Sequence, residues 1–361
     1  MIKNLLTNRI VVYFFYTSLV CYFAYFIPIT QNEAFEFYKT DSLISKMMYF
    51  GYGLSQNVFG LRAVFVLNAV VSLLLFDIFS NDILKNQKDA TQASAIFSIL
   101  PAMIFGGAIA NVALLALNLV LLYLIFYYRK FYIGEATALL LLFFVHDASI
   151  VFFLSILIYA IFKKEQRTAI YSIVALFGFL YFDRGIEIGG GPRGHFVEIF
   201  SIYAALFSPF VFLYFLYVMY RIWIKEDKDI VWSISSFSIF VSILLSVRQR
   251  IVVTDFTPYI LVGFVLMFRV YFQSIRVRLP KFQKVYKNGF MLSLSVLISM
   301  LMFVFFQPII FYYNGQYLFT KIYAPYKIQQ VLKSKNVHCH NSKNQKEELQ
   351  LKFYDISQCE K

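Results

Sequence analysis

The sequence predicts an all-α protein, a polytopic bundle of about eleven transmembrane helices. Of its 361 residues, 60% are hydrophobic and 15% charged, against about 45–50% and about 25% in a soluble domain. The apolar residues gather in runs of about 20, the length that crosses about 30 Å of hydrocarbon at 1.5 Å per residue. Lys and Arg recur between alternate runs, which is the positive-inside pattern.

In order, the spans read as 10–29, 61–79, 92–106, 110–128, 133–146, 148–162, 168–182, 199–220, 230–247, 256–273 and 289–308. The first is long enough to span and no small-residue cleavage site follows it, so it reads as a retained helix. The stretch 92–128 is too long for one helix, and Gly106-Gly107 supplies a break. The stretch 133–162 is divided by the polar pair His146-Asp147. With the N-terminus in the cytoplasm, every inner segment is basic: Lys3 and Arg9; Lys85 and Lys88; Arg129 and Lys130; Lys163, Lys164 and Arg167; Arg221, Lys225 and Lys228; and the run from Arg269 to Lys287. The chain then reads as a transmembrane domain over 1–310, with an outer-face first loop at 30–60, and a small extracytoplasmic C-terminal tail at 311–361. The location implied is an inner, or plasma, membrane of bacterial type. The tail is too short to bury a core alone, with a helix expected around 325–335. An oxidising compartment there would allow Cys339 and Cys359 to pair.

The net charge of +13 belongs to span flanks rather than to nucleic-acid binding, for which no motif is present. The 43 Phe and 27 Tyr suit lipid and headgroup contact. Cys339 between His338 and His340 is the sole spacing with metal character, and a weak one; no metal site is assigned.

Ionisable groups near a bilayer are costly, so their placement carries information. They concentrate on the outer face. In the first outer loop, Glu33, Glu36 and Asp41 could act as a general base on a hydroxyl or hold a divalent cation; residues 43–59 have helical apolar spacing and would lie in the interface. The stretch 183–198 places Arg184, Arg193 and His195 around the glycines 189–191, where backbone N–H groups and guanidinium forks could meet a phosphate. Arg248 and Arg250 run against the positive-inside tendency, which an anionic lipid phosphate would explain. His146 and Asp147 are further candidates.

These features together resemble the GT-C-fold membrane glycosyltransferases of the protein-mannosyltransferase and aminoarabinose-transferase type. One span precedes an outer loop with an acid (Glu33, with Glu36 nearby); FGLRAVFVLNAVVSLLLF enters span 2; ATQASAIFSILPAMIFGGAIANVALLALNLVLLYLIFYYRK follows; RQRIVVTDFTPYILVGFVL opens a late span. Asn32 precedes Glu33 where that family often has an Asp-Glu pair, and Asn111, which cannot serve as a carboxylate, stands early in span 4 where a polar or acidic residue is common. The resemblance implies a transferase that moves a sugar from a polyprenyl-phosphate or -pyrophosphate donor to a glycan, lipid or protein acceptor at the outer leaflet. Glu33 would be the base, with Glu36 and Asp41 as substitutes, and Arg184, Arg193, Arg248 and Arg250 would hold the donor phosphate. The resemblance fixes no cofactor and is compatible with a divalent cation. FFVHDASIVFFLSILIYAIFKK is also similar to the EpsG- and Wzy-type polysaccharide polymerases, which have a His just before an apolar span. A transporter or flippase of lipid-linked oligosaccharide is a further reading, disfavoured by the absence of an internal repeat.

Overall fold

A computed structural model describes residues 8–186, 189, 194–314, 320–335, 337, 339–342 and 344–359. The described chain is 81% helical and contains no strand. Five helices are long and apolar enough to cross a membrane, or up to seven spans if each of two bent helix pairs counts as one. This is compatible with a multi-pass helical membrane protein. Several expected spans are shorter helices of 10–17 residues, including α7 (Ala113–Arg129), α8 (Tyr132–Val145) and α9 (Ser149–Lys163).

The remaining helices, in chain order, are α1 (Arg9–Phe26), α2 (Gln31–Lys39), α3 (Leu43–Leu54), α4 (Val58–Leu84), α5 (Gln87–Ser98) and α6 (Pro101–Ala108) before these. After them come α10 (Gln166–Tyr181), α11 (Phe196–Phe207), α12 (Pro209–Lys225), α13 (Ile230–Arg248), α14 (Thr257–Leu261), α15 (Phe264–Val277), α16 (Pro280–Asn314), α17 (Thr320–Ser334) and α18 (Gln345–Lys352).

Two expected helix breaks move. The break placed at Gly106-Gly107 occurs earlier, between Ser98 and Pro101, and both glycines lie inside α6. Proline lacks an N–H and disfavours helix in the residue before it, which outweighs two glycines in an apolar run. The expected single span 199–220 is also divided. Ser208 adopts φ 71°, Pro209 starts α12, and the two helices bend by 104°.

The chain forms two compact units. Unit 1 comprises the described part of Met1–Phe15, with Val70–Met103 and Val112–Ile298. Its helices α7 to α10 pack as successive hairpins. Lys130 closes α7 and Lys164 closes α9, each in the left-handed conformation (φ 58° and 57°); Lys85 after α4 does the same (φ 55°). Glycine is the usual residue there, but a cation at a helix C-terminus is favoured by the helix dipole. Asp77 is buried, 3.2 Å from Arg9, and accepts from the Tyr13 and Ser94 hydroxyls at 2.9 Å each.

Unit 2 comprises Tyr16–Ala69, Ile104–Asn111 and the described part of Ser299–Lys361. The residues read as a first loop fold into two capped helices. Thr30 and Glu33 form a reciprocal capping box on α2, and Ser42 caps α3. The residues read as a separate tail join them. Leu349 of α18 enters a core with Ile29, Ala34, Phe37, Met48, Leu61 and Phe65. Buried Gln350 donates to the Ile29 carbonyl at 2.6 Å, and the Ile29 N–H donates to Tyr354 Oη at 3.2 Å. A segment too small for its own core thus completes one. The helix expected near 325–335 is α17.

Two close approaches tighten unit 2. A Cβ on Gly60 would lie 1.9 Å from the Ser55 carbonyl oxygen, so Gly60→Ala is expected to destabilise by about 1–3 kcal/mol; denaturant titration in micelles would measure it. Cys339 and Cys359 form a disulfide across 20 residues, enclosing α18. Removing that cross-link by Cys339→Ser with Cys359→Ser is expected to cost about 3 kcal/mol by the loop-entropy relation. The check is the unfolding midpoint of the double variant against that of the oxidised parent.

Candidate functional site

The first-loop acids occupy three different environments within unit 2. Glu33, only 1% exposed, is the partner of fully buried Arg62. Its Oε1 accepts from Arg62 Nε at 2.8 Å and from the Ala110 N–H at 2.9 Å; its Oε2 accepts from Arg62 Nη2 at 2.6 Å and from the Thr30 N–H at 2.8 Å. Arg62 spends its other N–H groups on the carbonyls of Ala24, Ile27 and Pro28 at 2.6–3.0 Å. All five guanidinium donors are therefore used. Burial alone would raise the Glu33 carboxyl. The Arg62 charge, its hydrogen bonds and the two backbone N–H groups outweigh burial and hold it below the ordinary carboxylate range. A carboxylate so engaged has no lone pair left for a hydroxyl proton or a metal. Glu33, expected as a base, is a structural counter-ion in this geometry.

Glu36 accepts from Thr40 Oγ1 at 2.7 Å and Ser42 Oγ at 2.8 Å, tying α2 to the cap of α3. Asp41 is solvent-facing and 3.4 Å from Lys46. Cys339 Sγ is committed to its disulfide, which removes it as a thiolate ligand. Arg193 and His338 lie outside the described residues.

The remaining candidates belong to unit 1, where helix ends gather at one rim. The loop before α11 is tied to the end of α13: the Gly194 N–H donates to the Val247 carbonyl at 3.3 Å and the His195 N–H to the Ser246 carbonyl at 3.0 Å. The Gly189 N–H donates to Gln249 Oε1 at 2.7 Å. Arg248 is the last, exposed residue of α13. Arg250 Nε donates to Glu198 Oε1 at 2.8 Å, and His195 Nδ1 lies 3.3 Å from Glu198 Oε2. Arg184 closes the C-terminal end of α8, donating to the Phe143 carbonyl at 3.0 Å, the Phe144 carbonyl at 3.2 Å and Asp147 Oδ1 at 2.7 Å.

His146 is the buried member of this rim, 6% exposed. Its Nδ1 is 2.8 Å from the hydroxyl of fully buried Tyr259, and its Nε2 is 3.8 Å from Asp255 Oδ1. The Asp255 side chain is 40% exposed. Residues 249–256 thus aim Arg250 at Glu198 and Asp255 at His146. If Nδ1 carries the proton and donates to Tyr259, Nε2 keeps its lone pair. Asp255 is too distant to hydrogen-bond the neutral ring but close enough to stabilise an imidazolium. That is the arrangement of a general base with a charge partner.

Neither Asp255 as the partner of His146 nor Tyr259 was foreseen. Their spacing was the available signal: positions i and i+4 share a helix face, so both can meet one ring. No protein-family model matches the chain, and no curated protein matches its sequence.

Proposed function

We propose that this chain is a membrane transferase acting on lipid-linked glycans, with His146 as the group that takes a proton from the acceptor hydroxyl. The carrying observation is a buried imidazole anchored through Nδ1 to Tyr259, with Nε2 turned toward a half-exposed carboxylate. In the proposed step, the acceptor oxygen attacks the anomeric carbon and its proton passes to Nε2. The bond from that carbon to the donor phosphate breaks, and the phosphate leaves on its polyprenyl lipid. Asp255 balances the imidazolium. Arg250 and Arg184 stand in ion pairs with Glu198 and Asp147. The Arg250 pair is open to solvent, and exposed pairs are worth at most about 1 kcal/mol, so a dianionic phosphate can compete for that guanidinium. This reading moves the catalytic role from the first loop to the rim of unit 1 and favours the polymerase-like resemblance at His146.

In support of this reading, the segments expected to be cytoplasmic are all basic, an orientation in which the His146 rim would face the outer leaflet of a plasma-type membrane. Purified protein in proteoliposomes with a radiolabelled polyprenyl-phosphate or -pyrophosphate sugar and a glycan acceptor tests the reading. Glycan elongation with release of the lipid phosphate is expected. Movement of unaltered donor between leaflets, without elongation, would instead identify a transporter.

A further inference from the structure

We propose that unit 1 also holds a glycerophospholipid with a primary-ammonium headgroup, in a groove between α9, α12 and α13. Two cavities adjoin there. One, about 560 Å³, is walled by Phe162, Trp223, Trp232, Phe237 and Phe240. Another, about 370 Å³, is lined by charged groups including Arg269 and Asp229. Tyr159, Lys163, Glu226, Asp227 and Lys228 line both, so the aromatic chamber opens onto the charged one. Phe162, Trp223 and Phe240 are 82%, 60% and 59% exposed, so the apolar wall faces outward, where a membrane helix meets lipid.

The headgroup class follows from which charges are free. Glu226 faces Arg221 at 3.6 Å and Arg269 at 3.8 Å; Asp229 faces Arg269 at 3.9 Å and accepts from Tyr128 at 2.5 Å. The side chains of Lys163, Lys228 and Asp227 are exposed and, among the described residues, in no ion pair. Cations and an anion are therefore left available at one mouth. A phosphodiester would meet the lysines and an ammonium would meet Asp227. A purely anionic headgroup would face Asp227 unfavourably, and a quaternary ammonium has no N–H to donate to it. The acyl chain would lie along the indole and phenyl rings, and the Trp indoles would sit near the headgroup level, where Trp is favoured.

This inference rests on the membrane assignment and not on the transferase reading, so the proteoliposome transfer assay and the lipid test below fail independently. The chain's 2 Trp, Trp223 and Trp232, both line the groove, so intrinsic fluorescence reports its occupancy. The full chain is reconstituted in phosphatidylcholine vesicles carrying rising fractions of brominated-chain phosphatidylethanolamine, phosphatidylglycerol or phosphatidylcholine. The ethanolamine lipid is expected to quench as though bound about two- to fivefold more tightly than either of the others. Asp227→Asn should abolish that preference, and Lys163→Gln with Lys228→Gln should weaken occupancy by the ethanolamine lipid. These side chains are exposed, and circular dichroism would verify the fold. Equal quenching by the three headgroups, a preference for the glycerol lipid, or a preference that survives Asp227→Asn would overturn the proposal.

Discussion

Replacing Arg62 with leucine is expected to destabilise the protein by about 3–5 kcal/mol, because it strands the Glu33 carboxylate in a buried site. Arg62 is fully buried and joins Glu33 to three carbonyls at the C-terminal end of α1. Lysine at this position is expected to fail as well, since an ammonium cannot reproduce five donors in a planar fork. The double replacement Glu33→Leu with Arg62→Leu should recover much of the loss, as an apolar pair leaves no charge behind. Denaturant titrations in micelles of the parent, Glu33→Leu, Arg62→Leu and the double variant form the cycle, and additive losses would show that the pair is not coupled. The same site sets an acid limit. A carboxyl held below its ordinary value contributes fully at neutral pH. That contribution disappears as pH falls below the ordinary carboxylate value of about 4.3 and through the lower folded-state value. The parent should therefore lose stability on acidification, and Glu33→Gln should flatten that portion of the profile.

On the proposed transferase reading, replacing His146 with alanine is expected to lower glycan transfer by about 10²–10⁴-fold, the usual worth of a positioned general base. Asp255→Asn should lower it by a smaller factor, because in the proposed step Asp255 would act on the charge of the imidazolium and not on the reacting oxygen. Tyr259→Phe removes one hydrogen bond, worth about 1 kcal/mol, and should reduce turnover modestly through ring orientation. The measurement is the turnover rate at saturating donor, with lipid binding followed separately. Unchanged turnover in His146→Ala would remove the imidazole from the chemistry. By contrast, Glu36→Gln should alter the α2–α3 cap while leaving turnover within a few-fold.

The helical class was legible because hydropathy alone fixes it, and most expected spans overlap observed helices. The breaks were less legible. Glycines in an apolar run looked like an interruption, whereas Pro101 and Pro209 interrupt the backbone by removing a donor. His146 stood out as a polar residue inside an apolar stretch, but its hydroxyl partner lies 113 positions away. Glu33 was visible as an acid, yet nothing local separates a base from a counter-ion; the difference is made by Arg62, 29 positions on, and by the Ala110 N–H, 77 positions on. Likewise, the terminal residues looked too few to matter until Leu349 met α2 and Gln350 met the Ile29 carbonyl just before it.

The lysines at 85, 130 and 164 sit where a side chain is sterically disfavoured by about 1 kcal/mol. Glycine there would relax the turns but delete positive charge from three segments that the sequence pattern leads one to expect in the cytoplasm. Glycine substitution at all three should therefore produce a protein that resists denaturation better once inserted, yet a larger share of newly made chains should thread backwards. In the orientation expected from the sequence, thermodynamic robustness and fidelity of membrane insertion would be opposed at these turns, with the lysines on the side of fidelity.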